Sequence, residues 1–225
     1  FGISALVVAP LLKAMIDNPA IGILHTFLYA GIAFLVVILL LAQLLLFPPA
    51  DWQPADTKTA IDPTIPPPPA PNLTRREMLK TRHFYALWMT YTIGCLAGLM
   101  AIGIASPVGT EVAKLDAAMA TLAVSLFAIF NGLGRPLFGA ITDKLGPRHT
   151  AMLSFAMILG VSLLVSFFGH ENALLYFFAF CVLWMCLGGW LAIAPTATGI
   201  FFGKKYYAQN YGLIFTAYGA GAILG

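Results

Sequence analysis

The 225-residue chain is 60% hydrophobic and only 9% charged, with a net charge of +3 and a mean hydropathy of +0.88. Soluble domains carry about 25% charged residues. The composition therefore excludes a water-soluble globular fold and indicates an all-α integral membrane protein, provided that the apolar residues fall in helix-length runs.

They do. Seven runs are predicted, at 1–16, 22–47, 84–108, 117–142, 150–168, 172–201 and 208–225. About 20 apolar residues in a helix cross ~30 Å of hydrocarbon. A membrane β-barrel would instead alternate over segments of about ten residues, and stretches such as "AFLVVILLLAQLLLF" do not alternate. Apolar runs reach both Phe1 and Gly225, so we expect an internal piece of a longer protein whose first and last helices are cut short. Residues 1–47 would close one helical half and residues 84–225 would form most of a second.

Between the second and third runs lies a polar linker, 48–83. Prolines at 66–69 and 71 favour stiff polyproline II there. Thr74 and Glu77 have the spacing of a capping box, which predicts a short basic helix from Arg75 leading into the third run. Its cluster Arg75, Arg76, Lys80 and Arg82 suits anionic lipid beside a membrane helix rather than nucleic acid. Nine basic residues share one side of the membrane: Lys58, Arg75, Arg76, Lys80, Arg82, Lys144, Arg148, Lys204 and Lys205. The opposite loops hold only Lys13 and Lys114. The positive-inside rule then predicts that the 48–83, 143–149 and 202–207 loops are cytoplasmic. We expect a multi-pass monomer of the cytoplasmic (inner) membrane, with the lipid bilayer as its surroundings.

Arg135 belongs to neither set. It precedes Asp143 by eight residues, which places its Cα about 12 Å deeper along a helix, close to the midplane. An arginine there costs about 2.5 kcal/mol or more. Snorkelling to the headgroups is one remedy, but the Cα–Cβ bonds of this run tilt toward its N-terminal, outer end. The other reading is an anion site, since guanidinium stays charged and binds carboxylate through two parallel hydrogen bonds. Asn131, four residues earlier, shares its helix face. Pro136 disturbs the backbone behind it, and Gly132, Gly134 and Gly139 permit close approach by a neighbouring helix. The acidic residues Glu111, Asp116, Asp143 and Glu171 all lie near run ends.

The loop "GRPLFGAITDKLGPRH" resembles the Gly-x3-Asp-Lys/Arg-x-Gly-x-Arg signature of the major facilitator superfamily, through Gly139, Asp143, Lys144, Gly146 and Arg148. An aspartate at a helix end can pair with basic groups there and lock one side of a transporter. The stretches "EMLKTRHFYALWMTY", "LAIAPTATGIFFG" and "NYGLIFTAYGAGAILG" look like the oxalate/formate antiporter family within that superfamily, with a further likeness to bacterial monocarboxylate and lactate porters. The resemblance implies helices five to eleven of a twelve-helix bundle and alternating access around a central site. It also implies that Arg135, in the eighth helix, contacts the substrate carboxylate. Oxalate carriers of the family place a lysine in helix eleven, and Tyr218 occupies the equivalent place here. One cation and one phenol suit a small monocarboxylate such as lactate, pyruvate or formate better than oxalate. Related porters carry an acidic residue four before the arginine, whereas Asn131 does not titrate. Exchange and proton symport are both candidate modes, with a proton as the coupling ion in the second.

Trp190 and Tyr91 are candidates to wall the cavity, and Pro195 and Pro136 to act as hinges. Gly94 and Gly98 form a GxxxG packing pair. Cys95, Cys181 and Cys186 read as small packing residues. The histidines His25, His83, His149 and His170 are scattered, so no metal site is expected, and no cofactor. Without a Walker loop, an HExxH or a nucleophile elbow, the sequence does not read as an enzyme. The reading from another class is an anion channel or a transporter-like sensor.

Overall fold

The computed structural model describes residues 4–45, 71–169 and 171–225, and all regular structure among them is helical. The helices are α1 (Ser4–Ile16), α2 (Gly22–Ala42), α3 (Arg75–Met78), α4 (Arg82–Glu111), α5 (Ala117–Phe168), α6 (Ala173–Phe202) and α7 (Tyr207–Leu224). The proline-rich stretch expected to form polyproline II lies, apart from Pro71, outside the described residues. The chain divides into two compact units, Val7–Pro69, which holds α2 and most of α1, and a unit built mainly from Ala70–Gly225.

Among the described residues four helices are long and apolar enough to cross a membrane: α2, α4, α5 and α6. This differs from the seven predicted runs for two reasons. First, α5 carries two of the runs in one stretch of 52 residues, interrupted only at Gly146 (φ 78°, ψ 160°). The expected loop 143–149 thus shrinks to one non-helical residue. Glycine adopts this left-handed φ without a Cβ clash. Pro147 then restarts the helix at a position where a missing N–H costs nothing. Second, the end helices are weak spans. α1 has 13 residues, only about 20 Å at 1.5 Å per residue. α7 has 18 and carries Gln209, Asn210 and Thr216.

In the first unit, α2 exposes apolar side chains all round, including Leu24, Phe27, Leu35 and Leu40. Thr26 turns its hydroxyl back onto the Gly22 carbonyl at 2.7 Å. That local bond keeps a polar group satisfied in an apolar setting.

In the second unit α3, α4, α5 and α6 begin at side-chain caps, which fix where the helices start to coil. Thr81 caps α4 through the Phe84 N–H (3.2 Å), Asp116 caps α5 through Met119 (2.8 Å) and Asn172 caps α6 through Leu175 (3.0 Å). Thr74 and Glu77 form a reciprocal capping box on α3. The Thr74 backbone N–H, then its hydroxyl, hold the Glu77 carboxyl below the usual carboxylate range. The segment before α3 is tied to the α6–α7 turn. Leu73 N–H donates to the Phe202 carbonyl (3.0 Å), the Asn210 amide donates to the Leu73 carbonyl (2.9 Å), and Lys205 N–H donates to Asn72 Oδ1 (3.2 Å).

Within this unit α6 is the most buried of the long helices. Small residues let its backbone meet α5. A Cβ on Gly188 would collide with the Asn131 carbonyl oxygen, and one on Gly134 with the Met185 carbonyl oxygen. Gly94 and Gly98 of α4 pack against Trp190 and Leu187 of α6 in the same way. Without a hydrophobic drive between helices in lipid, such close van der Waals approach is what holds them. We predict that Gly188→Ala lowers stability by about 3 kcal/mol, the upper end for overpacking, because backbone rather than a flexible side chain blocks the methyl. Gly160→Ala, with nothing within 4 Å, should be neutral or slightly stabilising through helix propensity. Thermal unfolding of the two variants in detergent measures the difference; equal melting curves would refute the tight crossing.

Candidate functional site

Arg135 lies on α5 eleven residues before the break at Gly146, about 16 Å along the helix axis. Its side chain is half-buried. The guanidinium is within electrostatic reach of two phenols on α7, those of Tyr211 and Tyr218. Asn131, one turn earlier, donates its amide to the Trp184 carbonyl of α6 at 3.1 Å. That bond sits at the same crossing where Gly188 touches the Asn131 backbone. Asn131 therefore clamps α5 to α6 and keeps its side-chain oxygen as an acceptor.

Behind the phenols stands an aromatic wall. Tyr91 of α4 and Trp190 of α6 are wholly buried and stack with ring centroids 6.1 Å apart and planes 23° apart. Phe155 packs on the other side of Trp190 at 5.3 Å. Gly94 makes the stack possible, since a Cβ there would strike the indole. The Tyr91 hydroxyl lies beside that of Tyr211. The geometry falls short of a full hydrogen bond, and neither the Tyr91 hydroxyl nor the Trp190 N–H has a partner among the described residues. On α7 the rings of Tyr207, Tyr211, Phe215 and Tyr218 follow one another at 5.7, 5.7 and 5.4 Å.

Of the residues singled out in the sequence, the fold thus joins Arg135 to Tyr218 electrostatically and Tyr91 to Trp190 by stacking. It places Asn131 against α6 backbone. What the arrangement can do chemically is hold one anion: a fixed positive charge flanked by neutral hydrogen-bond donors, over a wall that sheds water. Among the described residues no group of His, Cys, Asp and Glu could hold a metal ion.

A family model described as Major Facilitator Superfamily matches residues 1–225. The chain belongs to the Major Facilitator Superfamily. It is 26% identical over all 225 residues to the "Oxalate:formate antiporter" of Oxalobacter formigenes, of which it covers 51%. Over 150 residues, 67% of the chain, it is 29% identical to the "Uncharacterized MFS-type transporter YhjX" of Escherichia coli (strain K12), covering 37% of that protein. A 27% match over 151 residues reaches the "Uncharacterized 38 kDa protein in 23S RNA operon" of Thermoproteus tenax, again 37% of its length. The chain spans about half the length of the first of these relatives and less of the others. Its family is one of membrane transporters, not of enzymes.

The residues that resemble the superfamily's loop motif lie around the Gly146 break in the interior of α5. Asp143, Lys144 and Arg148 are exposed around the Gly146 break, and Gly139, seven residues before the break and so about two turns away, lies near Ala192. Arg148 also borders a cavity of about 310 Å³ with His83, Leu87, Phe155 and Trp190. That cavity is almost wholly apolar and does not include Arg135, though it shares Trp190 and Phe155 with the aromatic wall. Pro136 and Pro195 both stand in unbroken helix, Pro136 exposed and Pro195 half-buried.

Tyr211 escaped the sequence reading. A signal for it existed: Tyr207, Tyr211 and Tyr218 fall at i, i+4 and i+11, which is one face of a helix. Tyrosines are common in membrane helices, so that spacing gains meaning only when Arg135 is found to face it.

Proposed function

We propose that this protein is a secondary transporter of small carboxylates that works by alternating access. Arg135, with Asn131 and Tyr218 beside it and Tyr91 and Trp190 behind, is the substrate site. The observation that carries this reading is the electrostatic proximity of Arg135 on α5 to the phenols of Tyr211 and Tyr218 on α7. A carboxylate would take two parallel bonds from the guanidinium and one from a phenol. Its charge would neutralise Arg135 and lower the cost of closing the site around it. Exchange is the mode this reading favours, because a bound carboxylate adds its own negative charge beside the guanidinium in low dielectric.

A monocarboxylate such as lactate, pyruvate or formate fits one cation better than oxalate does. Oxalate/formate exchange is the second reading, favoured by the name of the relative matched over the whole chain. Proton coupling is assigned no role at Asn131. In the membrane the positive-inside rule puts the Gly146 break and the α6–α7 turn on the cytoplasmic side. There Asp143, Lys144 and Arg148 would act as a gate, with Pro136 and Pro195 as hinges. We take the working unit as a monomer in the cytoplasmic membrane.

The test is counterflow in proteoliposomes loaded with unlabelled substrate. Labelled lactate, pyruvate or formate should accumulate transiently, at least as well as oxalate. Strong counterflow of oxalate alone would reverse the preference, and a non-saturating current with no counterflow would replace the carrier by a channel.

A further inference from the structure

Resting on the carboxylate reading above, we propose that Lys204, Thr196 and Tyr207 form a second anion site, where a carboxylate pauses on its way to Arg135. These three border a cavity of about 660 Å³ with Pro195, Gly199 and Ile200, between α6 and the start of α7. No acidic residue lines it. Its polar groups are one ammonium, with three donor hydrogens, and two hydroxyls that can each donate one bond.

The neighbouring lysine supplies the contrast. Lys205 turns away and rests its ammonium 5.4 Å from the centre of the Tyr206 ring. Lys204 is thus the cation of this turn that reaches the cavity. Tyr207, which lines the cavity, is also the first ring of the aromatic row on α7. Tyr207 lies nearly parallel to Tyr211, 10° and 5.7 Å away, and Tyr211 is within electrostatic reach of Arg135. The Tyr207 ring lies against α6 beside Gly199, 3.8 Å from where a Cβ would stand. From Tyr207 to Tyr218 is eleven residues, about 16 Å along α7, so one small carboxylate cannot occupy both places.

The two cations differ in kind. Arginine grips a carboxylate bidentately, whereas lysine is a compact, strongly hydrated point charge. A wet, exposed lysine holds an anion weakly and releases it, which suits a waiting position. Its main effect is to raise the local anion concentration and the rate of arrival, an effect that salt screens.

Transport of labelled lactate by the reconstituted protein, with substrate offered from the side bearing the α6–α7 turn, tests this. At low salt Lys204→Gln should raise KM about tenfold, the lower end of electrostatic steering, with a smaller change in maximal rate. Added salt should raise the wild-type KM and leave that of the variant nearly constant. Lys204→Arg should restore both properties. Lys205→Gln, which removes the same charge from the same turn, should behave as wild type. If Lys204→Gln and Lys205→Gln share one KM and one salt response while Arg135→Ala is inactive, the second site is wrong and the carboxylate reading stands. If Arg135→Ala transports normally, both fall. Should Lys204→Gln fail to fold, Gly199→Leu fills the cavity independently, and an unchanged KM in that variant overturns the proposal.

Discussion

Arg135→Ala should abolish carboxylate transport without unfolding the protein. The size of the effect follows from the bonds removed. A hydrogen bond to a charged group is worth about 1.5–3 kcal/mol, and a bidentate pair offers two, so affinity should fall roughly 10²- to 10⁴-fold. Tyr211 and Tyr218 stay in place but supply only neutral donors. Arg135→Lys keeps the charge and loses the fork, so a residual rate with a raised KM is expected. Stability separates this reading from a structural one. An arginine kept only to complete a buried ion pair leaves its partner exposed to the same low dielectric when cut, at about 3–5 kcal/mol. An arginine kept for substrate serves the change from empty to bound rather than the fold, so its removal should cost the fold less than that. We therefore expect Arg135→Ala to remain folded in detergent, with a smaller drop in melting temperature than the loss of a buried ion pair gives, while counterflow vanishes. A folded Arg135→Ala protein with normal counterflow would end the proposed site.

How far the sequence already contained this picture depends on the kind of signal. Arg135 was legible because a charge deep in an apolar run is expensive, so its presence alone demands a reason. The GxxxG pair Gly94 and Gly98 was legible for a similar reason: small residues at one helix spacing announce a neighbour, and Trp190 and Leu187 of α6 fill that place. The capping residue Thr74 was legible because four residues suffice to write a capping box. The course of the chain around Gly146 was not. Hydropathy drops across Thr142–Thr150, which reads as a loop, yet every residue there except Gly146 keeps helical geometry. Hydropathy reports contact with lipid, not backbone angles, so it cannot tell a polar helix end from a turn. Partners between helices were equally hidden. That Tyr91 would stack on Trp190, or that Tyr211 rather than Tyr218 alone would face Arg135, depends on how α4, α6 and α7 are rotated. Rotation is set by packing. Helices that are apolar on every side show no preferred face to reveal it.

Tyr218→Lys should shift preference toward dianions, and it is the sharper test of why one carboxylate is favoured. Tyr218 lies within electrostatic reach of the same guanidinium as Tyr211, and the resemblance to the oxalate/formate family implies that it stands where oxalate carriers hold a lysine. In place of a phenol, an ammonium there gives the site two cations. A dicarboxylate such as oxalate could then neutralise both, while lactate or formate would leave one charge unanswered in low dielectric. One added charge-assisted bond is worth about 1.5–3 kcal/mol, so the oxalate-to-lactate affinity ratio should rise roughly ten- to a hundredfold. Two like charges also repel. The empty variant should therefore be less stable than wild type, and oxalate should recover that stability where lactate does not. Tyr218→Phe is the companion: it removes one neutral donor, worth about 1 kcal/mol, and should weaken monocarboxylates severalfold without helping oxalate. Inhibition of labelled lactate counterflow by each acid reads out the ratios. A Tyr218→Lys protein that keeps the wild-type order of acids would place Tyr218 outside the substrate's reach, and the selectivity would then have to come from Tyr211, the other phenol that Arg135 meets.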